Sequence, residues 1–126
     1  MKILGTDFVM FQVSDMPKAV RFYKELLGLT IEVDTPDFVE FDCGNVTLSL
    51  LRHDKSTDER VTGNIAFAVE DVQAAYLELK EKEAKLEGEP VDYGCCKAVT
   101  VQDPDGNVVI IHHRADGTVG QEVAQA

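Results

Sequence analysis

The hydrophobic and polar positions of this chain follow one pattern twice. Residues 8–29 read FVMFQVSDMPKAVRFYKELLGL, and residues 64–85 read NIAFAVEDVQAAYLELKEKEAK. Aligned at a constant spacing, the two segments place like residues together: Val9 with Ile65, Phe11 with Phe67, Val13 with Val69, and Asp15 with Asp71. A repeat of this length indicates two copies of one structural unit. A binding site is then expected between the copies.

The first copy reads as a strand, a helix and three further strands. Phe8–Val13 is short and mostly apolar, and Asp15 then stands where a helix N-cap belongs. Pro17 suits the first turn of that helix, and Gly28 suits its end. Apolar residues recur between them at helical spacing. The three strands that follow, separated by turn residues, are predicted over Thr30–Val33, Phe38–Cys43 and Val46–Leu51.

The second copy repeats this order. A strand is predicted over Asn64–Val69, an N-cap at Asp71 and a helix over Val72–Glu83. Three strands follow, the first beginning near Lys85 and the others covering Cys96–Gln102 and Asn107–His113, with a tight turn over Asp103–Gly106. We therefore expect one domain over 1–126, made of unit one (about 5–53), unit two (about 61–114) and a tail (115–126).

Composition and charge narrow the possible partners. The 126 residues carry a net charge of −11, so phosphate backbones and anionic membrane surfaces are repelled, and neither nucleic acid nor a membrane is expected as a partner. No apolar run approaches the roughly 18 residues of a membrane span, and the N-terminal residues do not read as a signal peptide. A cytoplasmic location is predicted.

The cysteines agree with a reducing compartment. There are three, Cys43, Cys95 and Cys96, and no CxxC spacing of the kind used for zinc or redox sites. Adjacent cysteines rarely bridge each other, because the closed ring strains the peptide. We expect Cys95 and Cys96 to be small buried residues near a turn, with Lys97 on the opposite face from Cys96.

Two motifs resemble those of a known family. Val13-Ser14-Asp15 leads into a helix with Phe22-Tyr23 and Leu27-Gly28-Leu29, and Asp103–Asn107 (DPDGN) precedes the last strand. This combination resembles the vicinal oxygen chelate superfamily, which contains glyoxalases, bleomycin-resistance proteins and extradiol dioxygenases. The resemblance implies an α+β fold in which two βαβββ units form curved mixed sheets around a cleft. It also implies a homodimer and a divalent metal in the cleft.

The residues at the implied metal positions do not suit a metal. The resemblance places ligands on the first and last strands of each unit, at Phe8, Ser49, Asn64 and Ile110. Phenylalanine and isoleucine have no donor atom, and serine and asparagine are weak neutral ligands. No cofactor is therefore predicted. A relocated divalent-metal site, formed by His53 and His112 with Gln12 or Glu40, stays open beside the interpretation of these histidines as surface residues.

Strand alternation predicts which side chains line the cleft. These side chains are mostly apolar with a few polar groups, as in small-molecule pockets. They are Phe8, Met10, Gln12, Ser49, Leu51, Asn64, Ala66, Ile110 and His112. The same residues could instead fill the cleft by packing on one another. His113 should point to the opposite face from His112. Two pairs of acids, Glu40 with Asp42 and Asp103 with Asp105, are interpreted as a solvent-facing pair and as turn formers.

The predicted function is binding of a modest organic ligand in the cleft, without the usual metal, by a protein of the glyoxalase/bleomycin-resistance type. The alternative is a metal-dependent lyase, transferase or dioxygenase of the same superfamily with a relocated metal. A third reading is a structural or regulatory protein whose cleft is filled. No catalytic residue is assigned, and the sequence does not identify the ligand.

Overall fold

The computed structural model describes residues 2, 4, 6–53 and 62–120. Within them the chain forms two βαβββ units: β1 (Phe8–Val13), α1 (Met16–Val20, continued by a π-helical segment, Arg21–Leu26), β2 (Thr30–Asp34), β3 (Phe38–Asp42), β4 (Thr47–Arg52), β5 (Asn64–Ala68), α2 (Val72–Glu81), β6 (Lys85–Asp92), β7 (Cys96–Gln102) and β8 (Val108–Arg114). Neither helix in this part of the chain is long and apolar enough to cross a membrane. The residues between the two predicted units (54–60) and the second half of the predicted tail (121–126) lie outside the described residues.

The strands form two four-stranded mixed sheets with the same topology. Their orders are β1-β4-β3-β2 and β5-β8-β7-β6, and the first strand of each runs parallel to the last. The registers also agree, because Met10 lies opposite Ser49 and the repeat-equivalent Ala66 lies opposite Ile110. The predicted α+β fold with two βαβββ units is therefore confirmed. The pairing also supports Ser49 as the counterpart of Ile110.

By their internal contacts the residues group into two compact units. The first comprises Met1–Gly63 together with Pro104–Asn107, and the second comprises Asn64–Asp103 together with Val108–Ala126. The turn between β7 and β8 thus belongs to the unit that contains β1. We refer to these groups as unit one and unit two.

Both helices begin at the predicted N-caps. The Asp15 carboxylate accepts a hydrogen bond from the Lys18 N–H at 3.1 Å, and the Asp71 carboxylate accepts one from the Ala74 N–H at 3.1 Å. Each carboxylate satisfies a backbone donor that the helix cannot pair internally. The first helix ends before Gly28, whose φ of +76° is a conformation that favours glycine.

The second half of the first helix differs from the regular helix that the sequence predicts. There the Leu27 N–H bonds to the Phe22 carbonyl, five residues back, at 3.1 Å. This wider turn rotates less per residue than an α-helix. Adjacent rings can then share one face, and Phe22 and Tyr23 are both buried, with centroids 4.9 Å apart. The predicted amphipathic helix is therefore correct in its buried residues but wrong in its regularity.

Each sheet packs one face against the helix of its own unit. In unit one the Tyr23 ring contacts Phe11 and Phe41, at centroid distances of 6.5 and 5.8 Å. The other buried side chains of this core alternate along the strands: Val13, Val39, Leu48 and Leu50. Unit two repeats the arrangement with four strand residues and three from α2: Val99, Val101, Val109, Ile111, Val72, Tyr76 and Leu79. The opposite face of each sheet is not covered by the unit's own helix, and we call it the open face.

Candidate ligand-binding faces

The open face of unit one contains all five of the predicted site residues that fall in this unit. In the β1–β4 ladder Met10 lies opposite Ser49, and Gln12 lies opposite Leu51. Phe8 begins the same row on β1. In the β3–β4 ladder Glu40 lies on the other side of Ser49. Strand alternation therefore brings these side chains to one surface, as the sequence indicates.

This face exposes large apolar side chains. Phe8, Met10 and Leu51 are 53, 42 and 37% exposed, although apolar residues of this size are commonly buried. Ser49, between Met10 and Glu40 in the ladder, is only 1% exposed. Contiguous exposed apolar side chains on a soluble protein often mark an interaction site. The face therefore offers apolar contact area around a sheltered hydroxyl group.

Gln12 adds a polar atom to the same face. Its side-chain oxygen Oε1 is buried and has no hydrogen-bond partner among the described residues. Most buried polar atoms are paired, because leaving one unpaired costs free energy. A ligand with an N–H or O–H group could supply the missing donor. Gln12 is therefore the polar anchor that the geometry favours on unit one.

The open face of unit two holds the other four predicted residues. Asn64 and Ala66 on β5 are exposed, whereas Ile110 and His112 on β8 are half-buried. His113 lies on the opposite face, as predicted, and its Nδ1 is 2.9 Å from the Val69 carbonyl oxygen. The expectation that a ligand binds between the two repeat copies stays a prediction.

The donor atoms at the implied metal positions do not fit a divalent metal. Phe8, Ser49, Asn64 and Ile110 occupy the strand positions that the resemblance assigns, and none is an imidazole or a carboxylate. Within each unit, the described residues contain no group of three or more His, Cys, Asp or Glu side chains arranged to hold a metal.

The relocated metal site would draw on both units, since His53 belongs to unit one and His112 to unit two. The backbone N–H of His53 donates to the Val13 carbonyl at 2.7 Å, which fixes the end of β4 beside β1. Both histidines are half-buried, which agrees with either interpretation, so the choice between surface residues and metal ligands stays a prediction.

The acidic residues of β3 divide between two environments. Asp42 is exposed, and its carboxylate accepts a hydrogen bond from the Gly44 N–H at 2.7 Å in the following turn. Glu40 is half-buried beside Ser49. The solvent-facing interpretation therefore holds for Asp42 only, and Glu40 contributes negative charge to the open face of unit one.

The DPDGN segment forms the turn that the sequence predicts, and it also makes tertiary hydrogen bonds. Asp105 is 4% exposed, and its Oδ1 accepts hydrogen bonds from the Ser14 N–H at 2.9 Å and the Ser14 hydroxyl at 2.5 Å. Asn107 is fully buried; it accepts from the Gly63 N–H at 2.8 Å and donates to the Gln12 carbonyl at 3.2 Å. The turn thus fixes the end of β1, which carries the Gln12 side chain. In the sequence, the signal for this contact was the presence of both Val13-Ser14-Asp15 and the DPDGN motif.

Cys43 and Cys96 are not activated nucleophiles. Burial raises the pKa of Cys43 from 9.0 to about 11, and the charges of Asp42 and Glu32 add to this rise. The hydrogen bond with the Cys95 thiol raises the pKa of Cys96, with a smaller contribution from burial. A cysteine nucleophile needs the opposite shift. Cys95 is exposed, so the prediction that it is buried is wrong; it lies in the turn before β7, where solvent reaches it.

Unit one also contains a groove that sequence reasoning missed. It has a volume of about 810 Å³ and lies between the start of α1, the β2–β3 turn and the end of β4. Two of its carboxylates are already engaged, because Asp15 caps the helix and Asp37 pairs with Arg52 at 2.6 Å. The groove therefore has fewer available polar groups than its acidic lining suggests, and the open faces are the stronger candidates.

Comparison with known proteins identifies the family. The family model of the Glyoxalase/Bleomycin resistance protein/Dioxygenase superfamily matches residues 5–111. The chain belongs to that superfamily. The match covers both units and both motifs, and it agrees with the repeated βαβββ topology.

Individual members of the superfamily have different activities. The chain is 28% identical to the metallothiol transferase FosB of Staphylococcus epidermidis over 116 residues, which cover 87% of this chain and 84% of that protein. It is 30% identical to a probable lactoylglutathione lyase of Synechocystis over 113 residues, covering 77% and 86%.

The solved structure of TnmS3, an antibiotic binding protein from Streptomyces sp. CB03234, has a TM-score of 0.78 at 23% identity, covering 91% of this chain and 99% of that one. At this identity the likeness shows the fold alone. A superfamily with such different members does not fix an activity by its fold.

Proposed function

We propose that this chain is a small-molecule-binding protein of the glyoxalase/bleomycin-resistance type. The ligand is a modest, partly apolar organic molecule that contacts the open faces of the two sheets. On unit one it contacts Phe8, Met10, Gln12, Ser49 and Leu51, and on unit two it contacts Asn64, Ala66, Ile110 and His112. No divalent metal is held at the superfamily's ligand positions. The protein acts in the cytoplasm, where its cysteines stay reduced, and it forms a homodimer, as the family resemblance implies.

The observation that carries the proposal is the exposed apolar patch of unit one beside the unpaired Gln12 oxygen. Burying a whole large apolar side chain contributes about 1.5–3 kcal/mol. Phe8, Met10 and Leu51 are roughly half exposed, so covering them contributes about 2–4 kcal/mol in total. Alone this corresponds to affinity no better than about millimolar. Tighter binding therefore requires the hydrogen bond to Gln12 and contacts to unit two.

The comparison with TnmS3 supports the proposal at the level of the fold, since that protein is an antibiotic binding protein with the same architecture. The residues at the metal positions support it independently. Two of those four side chains, Phe8 and Ile110, have no atom that can bind a metal.

The test is a ligand screen by thermal shift, followed by calorimetry on each hit with two matched variants. Leu51→Asn changes the open face, whereas Leu77→Asn changes an exposed leucine of α2. We expect Leu51→Asn to weaken a hit at least about tenfold, which corresponds to about 1.4 kcal/mol, and Leu77→Asn to leave the affinity unchanged. Equal affinities for both variants and the unchanged protein would contradict the proposed site.

The second candidate function is a metal-dependent lyase, transferase or dioxygenase with a relocated metal. The names of two relatives favour it, a metallothiol transferase and a probable lactoylglutathione lyase. Its residues would be His53 and His112 with Gln12 or Glu40. Elemental analysis after loading with Mn, Fe, Ni and Zn distinguishes the two functions. Near-stoichiometric metal that is lost in both His53→Ala and His112→Ala would establish the second candidate, and no retained metal would favour the first.

A further inference from the structure

The turn between β6 and β7 places two thiol groups side by side. The Sγ atoms of Cys95 and Cys96 are 3.6 Å apart, and the two thiols share a hydrogen bond. Cys95 is exposed and Cys96 is half-buried, and a cavity of about 250 Å³ opens beside Cys96. A small reagent can therefore reach the pair from solvent. The proposed ligand site contains neither cysteine, so the chemistry of this pair is independent of the proposed function.

The two sulfur atoms are close enough to bond to each other without a change of fold. A disulfide joins its sulfur atoms at about 2.05 Å, so they must approach by about 1.5 Å from their separation of 3.6 Å. Rotation of the two side chains and of the peptide bond between them can supply this movement. The only other cysteine of the chain, Cys43, belongs to unit one, whereas both members of the pair belong to unit two.

A bond between adjacent cysteines is strained. Consecutive Cα atoms are about 3.8 Å apart, whereas the Cα atoms of ordinary disulfides are about 4.4–6.8 Å apart. A strained disulfide is more easily reduced than a relaxed one. Disulfides in a reducing compartment are usually transient and redox-sensing. The pair is therefore unsuited to a permanent cross-link and suited to a bond that is absent at rest and forms under oxidising conditions.

The two thiols differ in accessibility and in acidity, which assigns them different steps. The sulfur atom that attacks first must be reached by the oxidant and must ionise. Cys95 is exposed to solvent. The hydrogen bond between the thiols raises the pKa of Cys96, with a smaller contribution from burial, so Cys96 keeps its proton more firmly. Cys95 is therefore the thiol that attacks the oxidant, and Cys96 is the thiol that completes the bond.

We propose that Cys95 and Cys96 form an oxidation site, at which a low-molecular-weight disulfide (R–S–S–R) converts the two thiols into a reversible intrachain disulfide. The Cys95 thiolate attacks one sulfur atom of the reagent and releases one R–SH. The Cys96 thiolate then attacks the Cys95 sulfur atom and releases the second R–SH. Overall one S–S bond and two S–H bonds break, and one S–S bond and two S–H bonds form. The protein loses two electrons, which the reagent gains.

Closing the ring changes the backbone of the turn. The peptide bond between the two cysteines carries the Cys95 carbonyl, which accepts a hydrogen bond from the Ala115 N–H at 3.0 Å. The Cys96 carbonyl accepts a hydrogen bond from the Tyr93 N–H at 2.8 Å. Ring closure rotates the peptide bond that carries the Cys95 carbonyl, so the hydrogen bond from Ala115 is lost. Oxidation thereby releases from the turn the residue that follows β8.

The test treats the reduced, full-length chain with oxidised glutathione as the probe. The remaining thiols are then alkylated in urea and counted by intact-mass spectrometry. Of the three cysteines we expect only Cys43 to be alkylated, and we expect excess reduced glutathione to restore the other two. Cys43→Ser is the matched control and should form the same disulfide. Cys96→Ser should stop after the first step and retain one glutathione on Cys95.

The proposal is overturned if all three cysteines stay free, or if the unchanged chain retains glutathione as Cys96→Ser does. A disulfide that includes Cys43 or joins two chains on a non-reducing gel would also overturn it, and so would a bond that excess reduced glutathione does not break. Circular dichroism of each variant separates loss of the site from loss of the fold.

Hydrogen exchange tests the change in the turn. The Ala115 amide should exchange at least about tenfold faster in the oxidised chain than in the reduced chain, because its hydrogen bond is lost. An unchanged rate would contradict the release of this residue. Both readouts follow the thiols and their turn, so they do not depend on whether the open faces bind a ligand.

Discussion

Replacing Asn107 with alanine should destabilise the protein more than its position in a turn suggests. Asn107 is fully buried, and its side chain bonds to the Gly63 N–H at 2.8 Å and to the Gln12 carbonyl at 3.2 Å. Alanine removes both partners at once. A buried backbone group left without its partner costs about 1–3 kcal/mol. For two such groups the expected loss is therefore about 2–6 kcal/mol, a large part of the 5–15 kcal/mol typical of a folded domain.

The assay is urea unfolding followed by circular dichroism, with a thermal melt as a second measurement. For a chain of 126 residues, 1 kcal/mol shifts the melting temperature by about 4 °C, so the melting temperature should fall by about 8–24 °C. Asn45→Ala is the matched control, because Asn45 is exposed in the β3–β4 turn. A loss below 1 kcal/mol for Asn107→Ala, or one equal to that of the control, would refute the role assigned to the DPDGN turn.

Three further predictions follow from other contacts. A Cβ atom at residue 63 would overlap the Phe11 ring, which is only 2% exposed, so Gly63→Ala should lower the free energy of unfolding in urea by about 1–3 kcal/mol. Adding Phe11→Leu should recover part of that loss, and an unchanged free energy of unfolding in Gly63→Ala would contradict the packing. Burial raises the pKa of Cys43 from its ordinary value of 9.0 to about 11, so Cys43 should be alkylated about 100-fold more slowly in the folded chain at pH 8 than in urea. Peptide mapping measures the two rates, and equal rates would contradict its burial. Asp105→Ala should lose the hydrogen bonds from the Ser14 N–H and hydroxyl, and a hydrogen bond to a charged acceptor contributes about 1.5–3 kcal/mol. Asp116→Ala removes an exposed carboxylate and is the control; equal urea-unfolding midpoints for the two variants would contradict the role of Asp105.

The sequence predicted the fold because its local signals agree with one another. Both N-caps, the glycine after the first helix and the strand alternation each point to the same unit, and the repeat supplies the N-cap and the strand alternation twice. The sequence did not reveal the π-helical segment, since the burial of two adjacent rings, Phe22 and Tyr23, depends on how the core is packed rather than on periodicity.

The candidate site was predicted only in part, for a physical reason. Alternation decides which face a strand residue takes, so Met10, Gln12 and Ser49 were grouped correctly. Alternation says nothing about exposure, and it could not show that Ser49 is buried while Phe8 remains half exposed. The tertiary hydrogen bonds of the DPDGN turn join residues 44, 91 and 95 positions apart in the chain. Spacing within one element cannot predict such bonds.

The most direct test of the central claim is amide chemical-shift mapping by NMR during titration with a ligand from the thermal-shift screen. We predict that the largest shifts fall on β1 and β4, around Met10, Gln12 and Ser49, and on β5 and β8, around Ala66 and Ile110. Shifts confined to the groove at the start of α1, around Pro17 and the β2–β3 turn, would contradict it.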